Sequence, residues 1–385
     1  MDYRQDKNGN KLSMLGLGCM RFGRDKAETE RLILTAIDSG INYFDTAYIY
    51  PGSETALGEI LAKNNRRKDI NIATKLPLNM CKSYEDFDKF FNIQLKRLQT
   101  DYIDYYFMHS IISLAQWQTM VDLGIEKWLA EKTAAGKIRQ VGFSYHGTQG
   151  DFIALLDAYD WQFCMIQYNY YDENYQAGRI GLNAAAAKGL AVIVMEPLLG
   201  GRLATGLPKA AADIFRKADP ARSPADWALR WLWSHPEITL VLSGMPNTQI
   251  LGYNLKSAAN FTPLDPADAN IYNEVINIFK KSYKFPCTAC NYCLPCPVGI
   301  NIPACLSAYN TSFAQNWFTG ITMYMTGIGA LSKTPTGARA CIHCGKCEKS
   351  CPQNIPITHA LKKTAARLEP PPIRAALAAA RVFLR

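Results

Sequence analysis

Over residues 1–283, short apolar runs alternate with segments whose apolar residues recur every three or four positions. Short runs rich in Val, Ile, Tyr and Phe predict β-strands, and the three-to-four repeat predicts amphipathic helices. The predicted strands are Ser13–Met20, Ile41–Ala47, Asp69–Leu76, Tyr102–His109, Ile138–Ser144, Phe163–Asn169, Leu190–Pro197 and Ile238–Met245. The predicted helices include Ala27–Ser39, Glu54–Asn64, Glu85–Leu98, Pro224–Ser234 and Ala267–Lys281.

Strands that alternate with helices predict an α/β fold. Eight such units in residues 1–283 match the size of a (β/α)8 TIM barrel. A doubly wound open sheet is the competing architecture, and it usually carries Gly-x-Gly-x-x-Gly after its first strand. Gly16-Leu-Gly18-Cys-Met-Arg lacks the third glycine and is not followed directly by a helix, so the barrel is favoured. Lys7-Asn-Gly-Asn predicts a hairpin turn that can close the barrel bottom.

Residues 284–385 have a different pattern. Two cysteine-rich runs flank Ile300–Thr336, which we predict to be mostly helical, and a predicted helix at Ile357–Leu368 follows the second run. Three consecutive prolines then precede a last predicted helix at Ile373–Leu384. The chain therefore divides into a barrel domain, residues 1–283, and a smaller, mostly α-helical domain, residues 284–385.

The formal net charge of +9 lies entirely in the second domain. Residues 284–385 hold eleven Lys or Arg and two acids, whereas residues 1–283 hold 31 of each sign. Apolar content of 48% with 19% charged residues excludes a disordered chain. The basic domain shows no nucleic-acid-binding fold and no interleaving of basic and aromatic residues, so no nucleic-acid partner is expected.

The ends and the cysteines bear on the compartment. Met1–Lys7 is polar and of mixed charge, unlike a secretory signal. The longest uncharged stretch, Phe285–Ser332, is interrupted by Asn, Gln, Pro and Gly, so we predict no membrane span. We therefore expect a cytoplasmic protein, in which dense cysteines indicate metal or redox chemistry rather than structural disulfides.

Two cysteine runs, each ending in Cys-Pro, dominate the second domain. They are Cys287-x2-Cys290-x2-Cys293-x2-Cys296-Pro297 and Cys341-x2-Cys344-x2-Cys347-x3-Cys351-Pro352. The second has bacterial ferredoxin spacing, in which three close cysteines hold one [4Fe–4S] cluster and the fourth holds the other. We therefore predict two clusters with crossed ligands: Cys287, Cys290, Cys293 and Cys351 for the first, and Cys341, Cys344, Cys347 and Cys296 for the second.

Some alternatives stay open for these cysteines. The first run is one residue shorter before its last cysteine, which keeps Cys305 as an alternative to Cys296. Zinc sites and structural thiols are the competing interpretations, although zinc sites usually pair two Cys-x2-Cys knuckles rather than placing four cysteines in one run. The other cysteines, Cys19, Cys81, Cys164 and Cys305, are interpreted as buried small apolar residues.

The clusters change the charge of the domain. An oxidised [4Fe–4S] cluster with four thiolates carries about −2, so two of them would lower the charge of residues 284–385 from +9 to about +5. The remaining positive charge predicts a docking surface for an acidic electron-transfer protein such as a ferredoxin or flavodoxin.

Four polar residues lie at or just past the carboxyl ends of predicted strands: Asp45, Tyr50, Lys75 and His109. In a barrel these ends form one mouth, where active sites lie. An ammonium near a phenol favours the phenolate, so Lys75 would make Tyr50 an effective proton donor, and Asp45 would keep Lys75 charged. His109 would polarise a carbonyl or relay a proton. Each residue alone has an ordinary structural interpretation, but their convergence at one mouth favours catalysis.

The same residues resemble a known family. Phe44-Asp45-Thr-Ala-Tyr-Ile-Tyr50-Pro-Gly-Ser-Glu54, Ala73-Thr-Lys75 and Met108-His109 are similar to the motifs of the aldo-keto reductases. The resemblance covers residues 1–282, and with its tail the whole chain is similar to the bacterial aldo-keto reductases that carry a C-terminal 4Fe–4S dicluster domain. It implies that Tyr50 donates a proton, that Lys75 and Asp45 tune it, and that His109 orients a substrate carbonyl.

The resemblance also implies contacts with NADP or NAD. Ser144 and Gln167 would hold the carboxamide, Asn254 the adenine end, and Met195 and Gly244 fall in further cofactor-binding segments. Tyr145 stands where the family often has Asn, and Met195 where it often has an aromatic residue that stacks on the nicotinamide. The segment Gly244–Ile250 lacks the cations that usually meet a 2′-phosphate, so NADPH and NADH both stay open.

We therefore expect an NAD(P)H-dependent oxidoreductase that reduces an aldehyde or ketone, or runs in reverse, fused to an iron–sulfur electron-transfer domain. Hydride carries two electrons together whereas each cluster moves one, and the sequence shows no flavin motif to join the two steps. The alternative is an electron-transfer or redox-sensing protein whose barrel binds nucleotide with little turnover. The complete set of four mouth residues favours the enzyme.

Overall fold

The computed structural model describes residues 1–330 and 335–374. Contacts between Cα atoms group the chain into two compact units. The first comprises Met1–Pro197 and Ala228–Leu264, and the second comprises Leu198–Trp227 and the chain from Asp265 onward. The predicted division into residues 1–283 and 284–385 stays a prediction.

The first unit contains a closed barrel of eight parallel strands. An antiparallel hairpin of β1 (Tyr3–Gln5) and β2 (Lys11–Ser13) precedes it. The barrel strands are β3 (Leu15–Gly18), β4 (Tyr43–Asp45), β5 (Asn71–Leu76), β6 (Ile103–Ile111), β7 (Ile138–Tyr145), β8 (Phe163–Gln167), β9 (Ala191–Met195) and β10 (Leu240–Ser243). Each strand pairs with the next, and β10 pairs with β3. The predicted barrel is therefore confirmed and the open sheet is excluded.

Side-chain caps fix where several helices start. Asp25 accepts hydrogen bonds from the backbone N–H groups of Ala27 and Glu28, and Ser83 forms a capping box with Asp86. The α-helices are α1 (Lys26–Asp38), α2 (Ser53–Lys63), α3 (Tyr84–Leu98), α4 (Leu114–Asp122), α5 (Ile125–Ala134), α6 (Gln149–Leu156), α7 (Gly178–Ala187), α8 (Lys209–Ala218), α9 (Pro224–Trp233), α10 (Thr248–Ala259), α11 (Ala269–Ser282), α12 (Ile302–Ala314), α13 (Trp317–Gly327), α14 (Lys346–Lys349) and α15 (Ile357–Leu368).

Side chains fill the barrel interior. Its apolar cluster contains Tyr43, Ala73, Tyr105, Phe107, Phe163, Met165, Ala191, Ile193, Leu240 and Leu242. Leu12 of the hairpin packs into the same cluster, and the Tyr105 hydroxyl donates to the Asp6 carboxylate at 2.7 Å. The hairpin therefore closes the amino-terminal end of the barrel, as predicted. The carboxyl ends of the strands form the opposite end, where barrel enzymes place their chemistry.

The second unit has an apolar core of its own. Buried members of that core include Ile302, Leu306, Tyr324, Leu361 and Leu368. They come from α12 and α13, which lie within the predicted helical stretch, and from α15, which matches its predicted bounds. The last predicted helix, Ile373–Leu384, lies almost entirely outside the described residues. In the part of the chain that the structure describes, no helix is long and apolar enough to cross a membrane.

One buried side chain of α12 holds the backbone that leads into the first cysteine run. Asn310 accepts hydrogen bonds from the backbone N–H groups of Lys284 and Phe285, and it donates to the Phe285 carbonyl at 2.7 Å. The Tyr283 hydroxyl donates to the Cys287 carbonyl, also at 2.7 Å. Because buried backbone groups are costly to leave unpaired, these bonds fix Cys287 at the edge of the helical core.

Candidate active site

Five of the predicted site residues each lie two positions after a residue of the packed barrel interior. Residues of the packed interior include Tyr43, Ala73, Phe107, Met165 and Ile193. Two positions further along the same strands are Asp45, Lys75, His109, Gln167 and Met195. Because side chains alternate along a strand, residues two apart point to the same side. These five therefore form the next layer, at the carboxyl end of the barrel.

Lys75 and Asp45 form a buried ion pair in this layer. The Lys75 ammonium lies 2.6 Å from Asp45 Oδ1 and donates to the Thr46 carbonyl at 2.7 Å. Lys75 is 1% exposed and Asp45 is 5% exposed. Burial lowers the pKa of Lys75 and raises the pKa of Asp45, and each charge opposes the shift of the other. The pairing is what makes two buried charges tolerable at this place.

Tyr50 and His109 lie beside the ion pair. The Lys75 ammonium is 4.9 Å from the centre of the Tyr50 ring. The Tyr50 and His109 rings are nearly perpendicular, at 86°, with centres 6.1 Å apart. Burial and then the Lys75 charge hold the pKa of His109 well below its usual range, so its imidazole is neutral near pH 7. The structure thus brings all four predicted mouth residues together.

The residues predicted to bind a nucleotide lie around the same mouth or just beyond its strands. Ser144 Oγ accepts a hydrogen bond from the Ser110 backbone N–H at 2.7 Å. Gln167 donates to the Asp172 carboxylate at 2.8 Å, and burial raises the pKa of Asp172 to about 6. Asn254 donates to Ser243 Oγ at 2.9 Å. Met195 is half-buried at the end of β9, and Gly244 is exposed directly after β10.

Glu54 is a buried carboxylate to which the sequence pattern gave no role. It accepts a hydrogen bond from the Thr74 hydroxyl at 2.6 Å, and its other oxygen lies 3.1 Å from the Arg97 guanidinium. Arg97 also donates to the Tyr48 carbonyl at 3.1 Å. This network ties the loop that carries Tyr50 to strand β5. One sequence signal could have revealed this role: Glu54 lies on the same face of α2 as the buried Leu57 and Leu61.

His146 is a second residue whose place the sequence did not reveal. It is buried directly after β7, and it hydrogen-bonds with the Gln176 side chain. Burial lowers its pKa to about 4, and repulsion between the two rings when both are protonated adds to the lowering of the pKa of His109. The mouth therefore holds two buried histidines rather than one.

The two cysteine loops of the second unit share one backbone feature. In each loop, the residues on either side of the second cysteine have positive φ: 54° at Ala289, 68° at Asn291, 57° at His343 and 70° at Gly345. Three of these are not glycine, so the conformation is adopted at a steric cost. Left-handed residues occur in the backbone turns whose N–H groups bind anions at phosphate and iron–sulfur sites. Both loops therefore share a backbone feature of anion-binding turns.

Each cysteine run lies near the last cysteine of the other. Burial raises the pKa of Cys293 to about 12, and the neighbouring thiols of Cys287, Cys290 and Cys351 add to the shift. One cavity in the second unit is lined by Cys293, Cys296, Cys341, Cys344 and Cys347. Within residues 1–330 and 335–374, no three His, Cys, Asp or Glu side chains converge as they would around one metal ion.

The remaining cysteines are buried, as predicted. Cys19, Cys81, Cys164 and Cys305 are all inaccessible to solvent or nearly so. Cys305, the alternative ligand, belongs to the apolar core of the second unit, and burial raises its pKa to about 12.

Comparison with protein families bears on both units. The profile of the aldo/keto reductase family matches residues 14–277, which is more than half of the chain. The chain belongs to the aldo/keto reductase family. C-terminal to that match, the profile of the 4Fe-4S dicluster domain covers residues 286–355 of this reductase. The resemblance predicted from the sequence is confirmed for both parts.

Known relatives of this aldo/keto reductase are oxidoreductases. The uncharacterized oxidoreductase YrpG of Bacillus subtilis is 28% identical over 65% of this chain and 89% of its own length. A 6-dehydroglucose reductase of Novosphingobium aromaticivorans is 31% identical over 60% of this chain and 81% of its own length. The solved holo structure of an aldo-keto reductase from Bacillus halodurans is 26% identical, has a TM-score of 0.61 and covers 71% of this chain and 96% of its own. The protein is thus an oxidoreductase.

The two buried histidines predict an acid-sensitive reductase barrel. His146 has a pKa of about 4 when folded, against an ordinary value of 6.5. Between these values the unfolded chain binds more protons, so the free energy of unfolding falls as the pH drops from 6.5 toward 4. His109, whose pKa is lowered as well, acts in the same direction. His146→Asn should make the fall in melting temperature over this window shallower, as measured by circular dichroism.

The same two proteins at pH 8 provide the control, because both histidines are neutral there in the folded and unfolded chains. An equally steep acid dependence in the wild-type protein and the His146→Asn variant would contradict the assignment of His146 as a buried neutral group.

Proposed function

We propose that this chain reduces the carbonyl group of an aldehyde or ketone with NADPH or NADH, or catalyses the reverse oxidation, at the carboxyl end of the barrel. The observation that carries the proposal is the buried pair of Lys75 and Asp45, whose ammonium lies 4.9 Å from the centre of the Tyr50 ring. Membership of the aldo/keto reductase family supports it. The 6-dehydroglucose reductase among the relatives directs a substrate search toward oxo sugars.

Tyr50 supplies the proton in this proposal. The Lys75 ammonium stabilises the negative charge that develops on the phenol oxygen as the proton leaves. Asp45 holds that ammonium in place through the 2.6 Å ion pair. Because Lys75 and Asp45 are buried, water screens their interactions little.

His109 orients the carbonyl. A neutral imidazole carries one N–H donor, and the lowered pKa of His109 keeps it in this form near neutral pH. The Tyr50 hydroxyl and the His109 N–H would then bind the same carbonyl oxygen. Two donors on one oxygen stabilise the charge that accumulates there during reduction.

The mouth contains polar groups that fit a nicotinamide carboxamide. Ser144 Oγ already accepts from the Ser110 backbone, which leaves its hydroxyl proton to donate. Gln167 is held in place by its bond to Asp172. We assign Ser144 and Gln167 to the carboxamide, and Met195, Gly244 and Asn254 to the rest of the nucleotide. When bound, the reduced nicotinamide would supply hydride to the carbonyl carbon.

We further propose two [4Fe–4S] clusters in the second unit. Cys287, Cys290, Cys293 and Cys351 would hold one, and Cys341, Cys344, Cys347 and Cys296 the other. The neighbouring thiols, the cysteine-lined cavity and the left-handed residues in both loops fit these groups. The match to the 4Fe-4S dicluster domain supports them. Loaded clusters would supply one-electron transfer, and the chain contributes thiolates and backbone N–H groups that stabilise their charge.

The two chemistries need different partners. Hydride carries two electrons at once, whereas a cluster carries one. We therefore propose that the clusters exchange electrons with a separate acidic electron-transfer protein, such as a ferredoxin or flavodoxin. The eleven basic and two acidic side chains of residues 284–385 support this choice.

Tyr50→Phe should abolish carbonyl reduction and leave nucleotide binding in place. General acid catalysis contributes about 100- to 10,000-fold, so kcat should fall by at least about 100-fold. The matched control is Tyr48→Phe in the same loop, because its ring contact with Phe90 does not need the hydroxyl. The measurements are anaerobic NADPH and NADH oxidation with a panel of aldehydes, ketones and oxo sugars, and nucleotide affinity by fluorescence.

Two results would contradict the proposed reductase. One is turnover by Tyr50→Phe at the wild-type rate. The other is a wild-type protein that binds nucleotide but reduces no carbonyl compound in either direction. The latter would favour the alternative function, an electron-transfer or redox-sensing protein.

Double substitutions test the crossed cluster ligands. If Cys290 and Cys351 serve the same cluster, Cys290→Ser with Cys351→Ser should remove only one cluster, about half of the iron. Cys344→Ser with Cys351→Ser should remove both. Cys305→Ser, a buried thiol outside the proposed ligand set, is the control and should keep all of the iron. Iron and sulfide assays and electron paramagnetic resonance after dithionite reduction give the readout, and the reverse pattern for the two double variants would disprove the crossed assignment.

A further inference from the structure

The two proposed cluster sites differ in exposure. Cys287 of the first run is 8% exposed and lies in the apolar core of the second unit. Cys344 in the middle of the second run is exposed, whereas Cys290, at the corresponding place in the first run, is half-buried. One ligand of the second site, Cys344, therefore reaches the surface of this unit, and the ligands of the first site are more enclosed.

Apolar side chains are exposed around the second site. Ile342 is 60% exposed and Leu294 is 38% exposed. Both line the cavity that Cys341, Cys344 and Cys347 line. Ile342 comes from the second cysteine run and Leu294 from the first, so two separate segments place apolar groups beside the same thiols. Exposed apolar groups gathered at one place are typical of interaction surfaces.

The charge beside these apolar groups is positive. Lys346 lines the same cavity, and Lys349 is exposed at the end of α14. The sequence places only two acids in residues 284–385. Glu348 accepts two hydrogen bonds from Thr358, each at 2.7 Å, and Glu369 is buried. A loaded cluster together with its four thiolates would carry about −2 and would offset part of the positive charge.

We propose that Leu294, Ile342, Cys344, Lys346 and Lys349 form a docking face for an acidic electron-transfer protein, and that electrons pass there to or from the cluster held by Cys341, Cys344, Cys347 and Cys296. We call these five residues the cluster face. The inference rests on the proposed function, because it requires the second cluster to be present.

The electron transfer is balanced by the two proteins alone. A reduced partner loses one electron and the cluster gains one, with no bond made or broken. The apolar centre of the cluster face would exclude water from the contact, and its lysines would steer a negatively charged partner into place. The first cluster, which is more enclosed, would then receive its electron from the second cluster rather than directly from the partner.

A charge-reversal pair tests the cluster face. The probe is a purified flavodoxin of strongly negative net charge, immobilised, with anaerobically reconstituted full-length protein flowing over it. Lys346→Glu with Lys349→Glu should weaken binding at least about tenfold near 20 mM salt, and the loss should shrink near 300 mM salt. Lys280→Glu with Lys281→Glu, on exposed positions of α11 in the same unit, is the matched control and should stay within about twofold of wild type.

Two further variants test separately the charge and the apolar contact of the cluster face. Lys346→Arg with Lys349→Arg should retain the wild-type affinity, because the charge is kept. Ile342→Ser should weaken binding severalfold at both salt concentrations, because an apolar contact is screened little by salt. Equal losses from the cluster-face and α11 charge reversals would overturn the inference, as would no loss from either.

Iron content and the paramagnetic signals of dithionite-reduced protein distinguish failure of the proposed function from failure of the docking face alone. A wild-type protein without two reducible clusters would overturn both the proposed function and the docking face. Intact clusters in every variant, combined with flavodoxin binding that ignores the cluster face, would overturn the docking face alone. Salt-sensitive self-association through this face, with no flavodoxin binding, would assign it to a second copy of the chain and overturn it equally.

Discussion

The buried ion pair of Lys75 and Asp45 sets the conditions for the rest of the barrel mouth. Removing both charges from water costs several kcal/mol per ion, and the 2.6 Å pair with the bond to the Thr46 carbonyl offsets that cost. Removing one partner of such a pair typically costs about 3–5 kcal/mol, because the other charge is left buried without compensation. The surrounding structure must therefore hold the two side chains together. The packed interior layer below the pair and the Glu54 network beside it supply that support.

In the second unit, the charge to be stabilised at the proposed cluster sites is negative. In its cysteine loops, residues with positive φ flank Cys290 and Cys344, and residues 284–385 hold only two acids against eleven Lys or Arg. Both features favour negative charge at the loops. The excess of basic residues would stabilise the proposed anionic clusters, and it would also attract the proposed acidic partner. Cys344 is exposed, so the second loop is where the proposed cluster would come nearest to that partner.

Much of the barrel and its mouth could be predicted because their signals are local. Residues two apart on a strand face the same side, so Asp45 follows Tyr43 and Lys75 follows Ala73 on the interior face. A correct strand assignment therefore already puts both charges in one layer. Glu54 and His146 were missed because their roles depend on Arg97, Gln176 and other partners far away in the chain. The same limit explains why the sequence did not predict that Leu198–Trp227, which follows a barrel strand, groups with the second unit. Periodicity predicts an element but not its neighbours.

A double-mutant cycle between Asp45→Asn and Tyr50→Phe tests most directly whether the ion pair acts through the tyrosine. The measurement is the single-turnover rate of hydride transfer to a substrate carbonyl, with melting temperatures to confirm folding. If the ion pair acts through Tyr50, Asp45→Asn should slow the wild-type protein by roughly 100-fold but change the Tyr50→Phe protein by less than about threefold. Equal slowing in both backgrounds would show that the ion pair and Tyr50 act independently, and would contradict the account.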